Sequence, residues 1–169
     1  GGYFGIHLGQ AAFKYLEGCN IGLDGVVELQ ENYARMGFKM AYRNMRFEGS
    51  IQDAPESPSS GSIIPAIEAD FEELEAYDRR HFPDGRRPFL KYWTSMPDSR
   101  TLAVLEDGGI RGYGTIRRCW QGWKVGPLFA DNPEIAEALF LQLLREGRPG
   151  EKVYLDISEE NKEARMLAD

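Results

Sequence analysis

The stretch GGYFGIHLGQAAFKYLEG, residues 1–18, places four glycines within nine residues and then apolar positions at helical spacing. Glycine lets a backbone come close to a ligand. The unpaired amides and partial positive charge at a helix start attract phosphate. The pattern predicts a loop running into a helix over Gly9–Glu17, with Ala12, Phe13 and Leu16 inward and Gly18 as the stop. That helix carries no acid before Glu17, so an anion at its start meets no repulsion. A second helix start, ADNPEIAEA, reads differently. Asp131 and Glu134 flank its first turn, with Asn132 as N-cap before Pro133. These carboxylates already complement the helix dipole, each by about 0.3–1 kcal/mol, and would repel a phosphate. Of the two, the first is the better anion site. Cys19 and Cys119 form neither a disulfide framework nor a metal-ligand spacing, so no metal is expected and a reducing cytoplasm is the default.

The elements that must position these groups follow from the periodicity. NIGLDGVV reads as a short buried strand, ELQENYARM as a helix ended by Gly37, and FKMAYRNMRF as a strand. EGSIQDAPESPSSGS is a linker by composition. The pattern then restarts: a strand at IIPAIEA, a helix capped by Asp70 over DFEELEAYDRRHF, and a second helix at RRPFLKYWTSM. A hairpin follows around DGG, joining RTLAVLED to IRGYGTIRRCW. A strand at GWKVGPLFA is expected to bulge at Gly126–Pro127. A helix runs from about Pro133 to Glu146, a strand at KVYLDIS, and a last helix begins at ENKEARMLA. This alternation predicts an α/β fold with a mixed sheet.

Composition narrows the function. The 169-residue chain, 42% hydrophobic and 28% charged, is long enough to bury a core. Its net charge of −7 argues against a nucleic-acid partner. No apolar run approaches the roughly 18 residues of a membrane span. The charge is uneven: five basic and five acidic residues cancel over residues 1–49, and the remainder carries the whole excess. The Arg-rich RRHFPDGRR reads as a solvated turn, and the tryptophans as packing.

The order of elements, and the residues on them, resemble the GNAT superfamily of N-acetyltransferases. GIHLGQAAF is similar to the family's acetyl-CoA loop, R/Q-x-x-G-x-G/A before a helix, with Phe4 and His7 departing from it. NYARMGF resembles the family's Y-x-x-x-G-F element. GYGTIRR, VGPLFAD and NKEARML resemble the C-terminal acetyltransferase domain of tandem-GNAT proteins. The resemblance implies a mixed, mostly antiparallel sheet flanked by helices, partial at both ends. Residues 1–49 would be the C-terminal portion of a first GNAT domain, 50–62 a linker, and 63–169 the N-terminal portion of a second. A permuted arrangement, in which the first piece completes the sheet of the second, is the other option.

The resemblance also implies roles. Gly5, Ile6, His7, Leu8, Gly9 and Gln10 would hold acetyl-CoA at its pyrophosphate. Tyr33, at the family's tyrosine position, would protonate the departing thiolate, a task suited to a phenol with pKa near 10. The acceptor would be a primary amine on a small molecule or a side chain, acetylated directly in a ternary complex. Asp24, Glu28, Asp78 and Asp156 are candidates for the base. Asn161 and Ala164 fit N-x-x-A-x-x-L, while Ala168 replaces the tyrosine that follows. The alternative is a non-catalytic, degenerate GNAT module serving dimerisation or small-molecule sensing. A homodimer is compatible with either reading.

Overall fold

A computed structural model of the chain describes residues 2–52 and 61–168. The contacts divide it into two units between Ala41 and Tyr42.

The first unit consists of helix α1 (Gly2–Tyr15), a 3-10 turn over Val27–Leu29, and helix α2 (Gln30–Arg35). Gly37 ends α2 as expected. Its φ of 95° is the left-handed conformation glycine tolerates, and the Phe38 amide donates back to the Tyr33 carbonyl. Two expectations fail here. The segment foreseen as a loop before Gly9 is helical from Gly2 onward. NIGLDGVV forms no strand and runs irregularly into the 3-10 turn. Gly22, Asp24 and Gly25 are poor strand formers. At Gly25 a Cβ would fall 2.7 Å from the Tyr33 ring, so that glycine is where the tyrosine packs.

The second unit holds a six-stranded sheet in the order β1-β6-β5-β4-β3-β2. Its strands are β1 (Asn44–Ser50), β2 (Ser62–Pro65), β3 (Ser99–Glu106), β4 (Gly109–Arg118), β5 (Trp123–Ala130) and β6 (Lys152–Ser158). All neighbours are antiparallel except β5 and β6. Helices α3 (Phe71–Asp78), α4 (Arg87–Thr94), α5 (Pro133–Leu144) and α6 (Lys162–Ala168) accompany it. The fold is the expected α/β architecture. The boundary is not where composition put it. β1, assigned to a first domain, pairs with β6 from Asn44↔Ser158 to Ser50↔Lys152. Ile51, assigned to the linker, is buried, and its amide and carbonyl bond Glu151 and Gly150. The strand expected at FKMAYRNMRF is present from Asn44, with Met45 and Phe47 alternating inward, and it runs on to Ser50, into the Ser- and Pro-rich stretch that reads as linker by composition. Residues 53–60 of the expected linker lie outside the described residues.

Alternation along the strands builds two cores. Leu102, Val104, Ile116, Val125, Leu155 and Ile157 face Ile135, Leu139 and Leu143 of α5. Ala103, Ile110 and Tyr113 face Leu74 and Tyr77 of α3 and Leu90 of α4. Each fully buried leucine contributes about 1.5–3 kcal/mol. Asp70 caps α3 by accepting the Glu72 and Glu73 amides at 2.8 and 3.1 Å. The β3–β4 turn places Asp107 and Gly108 at positive φ, the twist a two-residue hairpin needs.

Candidate functional site

The site is set by how β5 ends. Trp123 and Val125 point into the α5 core, and β5 pairs with β6 only over Trp123–Val125. The expected irregularity is present: the β4–β5 register shifts between Gly114 and Ile116, opposite Gly126 and Pro127. The extra residue brings Leu128 and Ala130 back to the α5 face, where they pack against its core. Beyond the bulge the Asp131 amide donates to the Arg111 carbonyl. Antiparallel alternation then turns the amides of 129 and 131 to β4, and those of Leu128 and Ala130 toward the side that β6 has left. A strand edge with free donors and acceptors therefore opens on a cleft of about 420 Å³, lined by Leu128, Ala130, Asn132, Ala136, Asn161 and Ala164 among others.

The helix starts around this cleft are occupied. Pro133 has no amide to offer, and Asn132 Oδ1 accepts the Ile135 amide at 2.8 Å. Asp131 accepts the Tyr77 hydroxyl at 3.0 Å and pairs with Arg80 and Arg111. The start of α5 thus has little left for a phosphate, as its sequence indicated. Asn161, singled out by the N-x-x-A-x-x-L pattern, caps α6 by accepting the Ala164 amide.

A polar cluster on the opposite face went unnoticed in the sequence. Asp78 is buried and accepts two hydrogen bonds from Arg86, at 2.7 and 2.9 Å, and one from the Tyr113 hydroxyl. Burial pushes its carboxyl up, but these hydrogen bonds and the Arg86 charge outweigh that and hold it below the usual carboxylate range. Burial and the Asp78 partner raise the Tyr113 phenol. Burial and the Asp131 partner do the same at Tyr77. His81 stacks on Phe129, ring centroids 4.5 Å apart, between the two open-edge residues of β5. Partial burial, then the Arg80 charge, lowers its pKa, with Asp131 and Asp78 opposing. RRHFPDGRR is an exposed turn over residues 79–85, as expected, and its arginines are ion-paired: Arg79 with Asp84, Arg80 with Asp131, Arg86 with Asp78, and Arg87 with Glu72 and Glu75. A lone histidine among arginines carries no periodicity that would have marked it.

The residues expected to do chemistry are divided between the two units. Gly5–Gln10 lie within α1, and the side chains of Gly5 and Ile6 lie outside the described residues. From residue 6 onward, amides in a helix starting at Gly2 are bound to i−4 carbonyls, so the loop cradle is not formed. His7, Leu8 and Gln10 are exposed, and Gly9 approaches Met36. Tyr33 is half-buried on α2. Of the base candidates, Asp24 and Glu28 lie in the first unit. Asp156 is held down to about 2 by Arg46 and Lys124 against the effect of burial. A carboxylate so low, or one paired as Asp78 is, makes a weak base at neutral pH. Among the described residues no cluster of three His, Cys, Asp or Glu could hold a metal, and no helix is long and apolar enough to cross a membrane.

Comparison with known proteins agrees with this geometry. The chain is 29% identical over 153 residues to a holothin acyltransferase of Pseudoalteromonas sp. (strain SANK 73390), covering 90% of this chain and 51% of the relative. A solved structure from Pyrococcus horikoshii, assigned to the acetyltransferases, superposes with a TM-score of 0.67 at 25% identity, covering 86% of this chain and 46% of that one. A GCN5-related N-acetyltransferase from Kribbella flavida shares the fold, with a TM-score of 0.56 at 12% identity over 83% of this chain and 37% of that one. The chain spans about half the length of the first two. The family profile described as Acetyltransferase (GNAT) domain matches residues 74–169, more than half of the chain. The chain belongs to the GNAT acetyltransferase family.

Proposed function

We propose that the protein is an N-acetyltransferase that moves an acetyl group from acetyl-CoA to a primary amine by direct transfer in a ternary complex. The observation that carries this reading is the open β5 edge at Leu128 and Ala130 beside the cleft. The arm of acetyl-CoA contains amides, and such a chain can lie along a free strand edge as an extra strand would. Ala136, Ala164 and Leu128 give that arm an apolar wall. Bound there, acetyl-CoA supplies an acyl group activated as a thioester. The backbone of Leu128 and Ala130 would orient it. In the transfer the amine nitrogen forms the new C–N bond as the C–S bond breaks. One amine proton leaves to a base, and the Tyr33 hydroxyl is the proposed donor to the departing sulfur.

Placement of the pyrophosphate at Gly5–Gln10 is supported by the absence of acids from the first turn of α1, although those residues are helical here. The degenerate, non-catalytic alternative is favoured by one observation: the closed start of α5. Mass spectrometry of amine mixtures incubated with acetyl-CoA separates the two. The enzyme reading expects acetylated product. Bound acetyl-CoA without product would support the module. Ala130→Pro removes one open-edge amide without touching the β4 ladder. By calorimetry it should weaken acetyl-CoA at least about tenfold, or roughly 1.4 kcal/mol. Unchanged affinity in the folded variant would exclude the β5 edge.

A further inference from the structure

We propose that the sheet face across β4, β5 and β6, opposite the cleft, binds an anionic oxygen group, carboxylate or phosphate, carried by the amine that is acetylated. The second half of this proposal rests on the acetyltransferase reading.

Four charged residues form a row across that face. Arg46 on β1 stands opposite Asp156 on β6, Lys124 on β5 reaches the same carboxylate, and Arg117 on β4 is registered with Lys124. The row holds three cations and one anion, on a chain whose net charge is −7. Asp156 is already engaged by Arg46 and Lys124.

Arg117 is half-buried and pairs with no carboxylate among the described residues. Its guanidinium lies 5.6 Å from the centre of the Trp93 ring on α4. The indole Nε1–H of that same tryptophan is buried and finds no acceptor among the described residues. A half-buried guanidinium without a counter-ion and a buried donor without an acceptor are both unfavourable, and here they adjoin. A single ligand with two oxygens satisfies both. The planar fork of Arg117 suits a carboxylate or phosphate, and a shift of its long side chain off the ring admits an oxygen to the indole edge.

The position suits an acceptor. Lys124 and Asp156 adjoin Val125 and Leu155, the last residues at which β5 and β6 pair. They face away from the α5 core that Val125, Leu155, Leu128 and Ala130 join. An amine anchored at this row reaches the parting of the strands from the side opposite the cleft.

The test uses acetate and inorganic phosphate as probes on the ¹⁵N-labelled chain, with sodium chloride at matched ionic strength as control. The Trp93 indole resonance, assigned with Trp93→Phe, should shift saturably, and the stronger of the two probes identifies the anion class. Arg117→Gln should weaken the response at least tenfold while circular dichroism stays native. Absence of a saturable shift with either probe, or an equal shift with chloride, overturns the site. The acceptor assignment is tested with acetyl-CoA and paired amines, β-alanine against its amide and phosphoethanolamine against ethanolamine. The anionic partner should show the lower KM, and Arg117→Gln should abolish that preference. Anion binding without any preference overturns the acceptor assignment. Anion binding with no transfer to any amine refutes the acetyltransferase reading and leaves the anion site standing on its own titration.

Discussion

The two units of this chain carry similar apolar patterns and use them differently. In residues 42–168, alternation along five strands and helical spacing on α3, α4 and α5 converge on two cores, with Leu74, Leu139 and Leu143 fully buried. In residues 7–41 none of the described side chains is fully buried. Leu8 and Val27 are each 74% exposed and Tyr15 89%. Periodicity alone gives a helix a face. Only a surface that accepts the face gives it stability. The second unit contains such a surface in its own sheet.

That contrast predicts a wide spread of mutational effects. Leu139→Ala, in the α5 core, should lower stability by about 2–5 kcal/mol, measured by urea denaturation. Val27→Ala should change it by less than about 0.5 kcal/mol. A comparable loss at Val27 would show that the first unit has a core after all. Asp78→Ala should cost about 3 kcal/mol, because it strands the mostly buried Arg86 without its partner.

The same carboxylates set an acid limit. Asp78 and Asp156 both have folded-state pKa values below their unfolded ones, so each lends stability that is fully present above about pH 4. That stability is lost as pH falls through the folded values, near 2 for Asp156. Urea midpoints measured from pH 7 to pH 3 should fall below about pH 4, and Asp156→Asn should flatten the fall. An unchanged slope in that variant would mean the Arg46 and Lys124 pairs contribute nothing.

Tyr33→Phe tests the first unit by rate instead of stability. If the hydroxyl protonates the departing thiolate, kcat should drop at least about a hundredfold with the melting temperature nearly unchanged. A kcat within about threefold of wild type, with chemistry rate-limiting, would leave Tyr33 as packing on Gly25.

Most of the second unit was legible because its signals are local. Asp70 and Asn132 act as caps where their types predict, and Asp107–Gly108 makes the hairpin turn. The Gly126–Pro127 bulge, visible as a break in a strand, proved to be what opens the β5 edge. What was not legible depends on partners distant in sequence. β1 looked like the end of one domain because its mate, β6, lies over a hundred residues on. His81, Phe129 and the Arg117–Trp93 pair come together only through the sheet. The Gly-rich stretch suggested a loop by composition, yet glycines at positions 5 and 9 do not prevent a helix.

The central claim is that the open edge of β5 takes the acetyl-CoA arm. Hydrogen exchange of the backbone amides, with and without acetyl-CoA, tests it most directly. The account predicts slowed exchange at Leu128 and Ala130, with Phe129 and Asp131 little changed because β4 already holds them. Protection confined to Gly5–Gln10, with Leu128 and Ala130 unaffected, would contradict it.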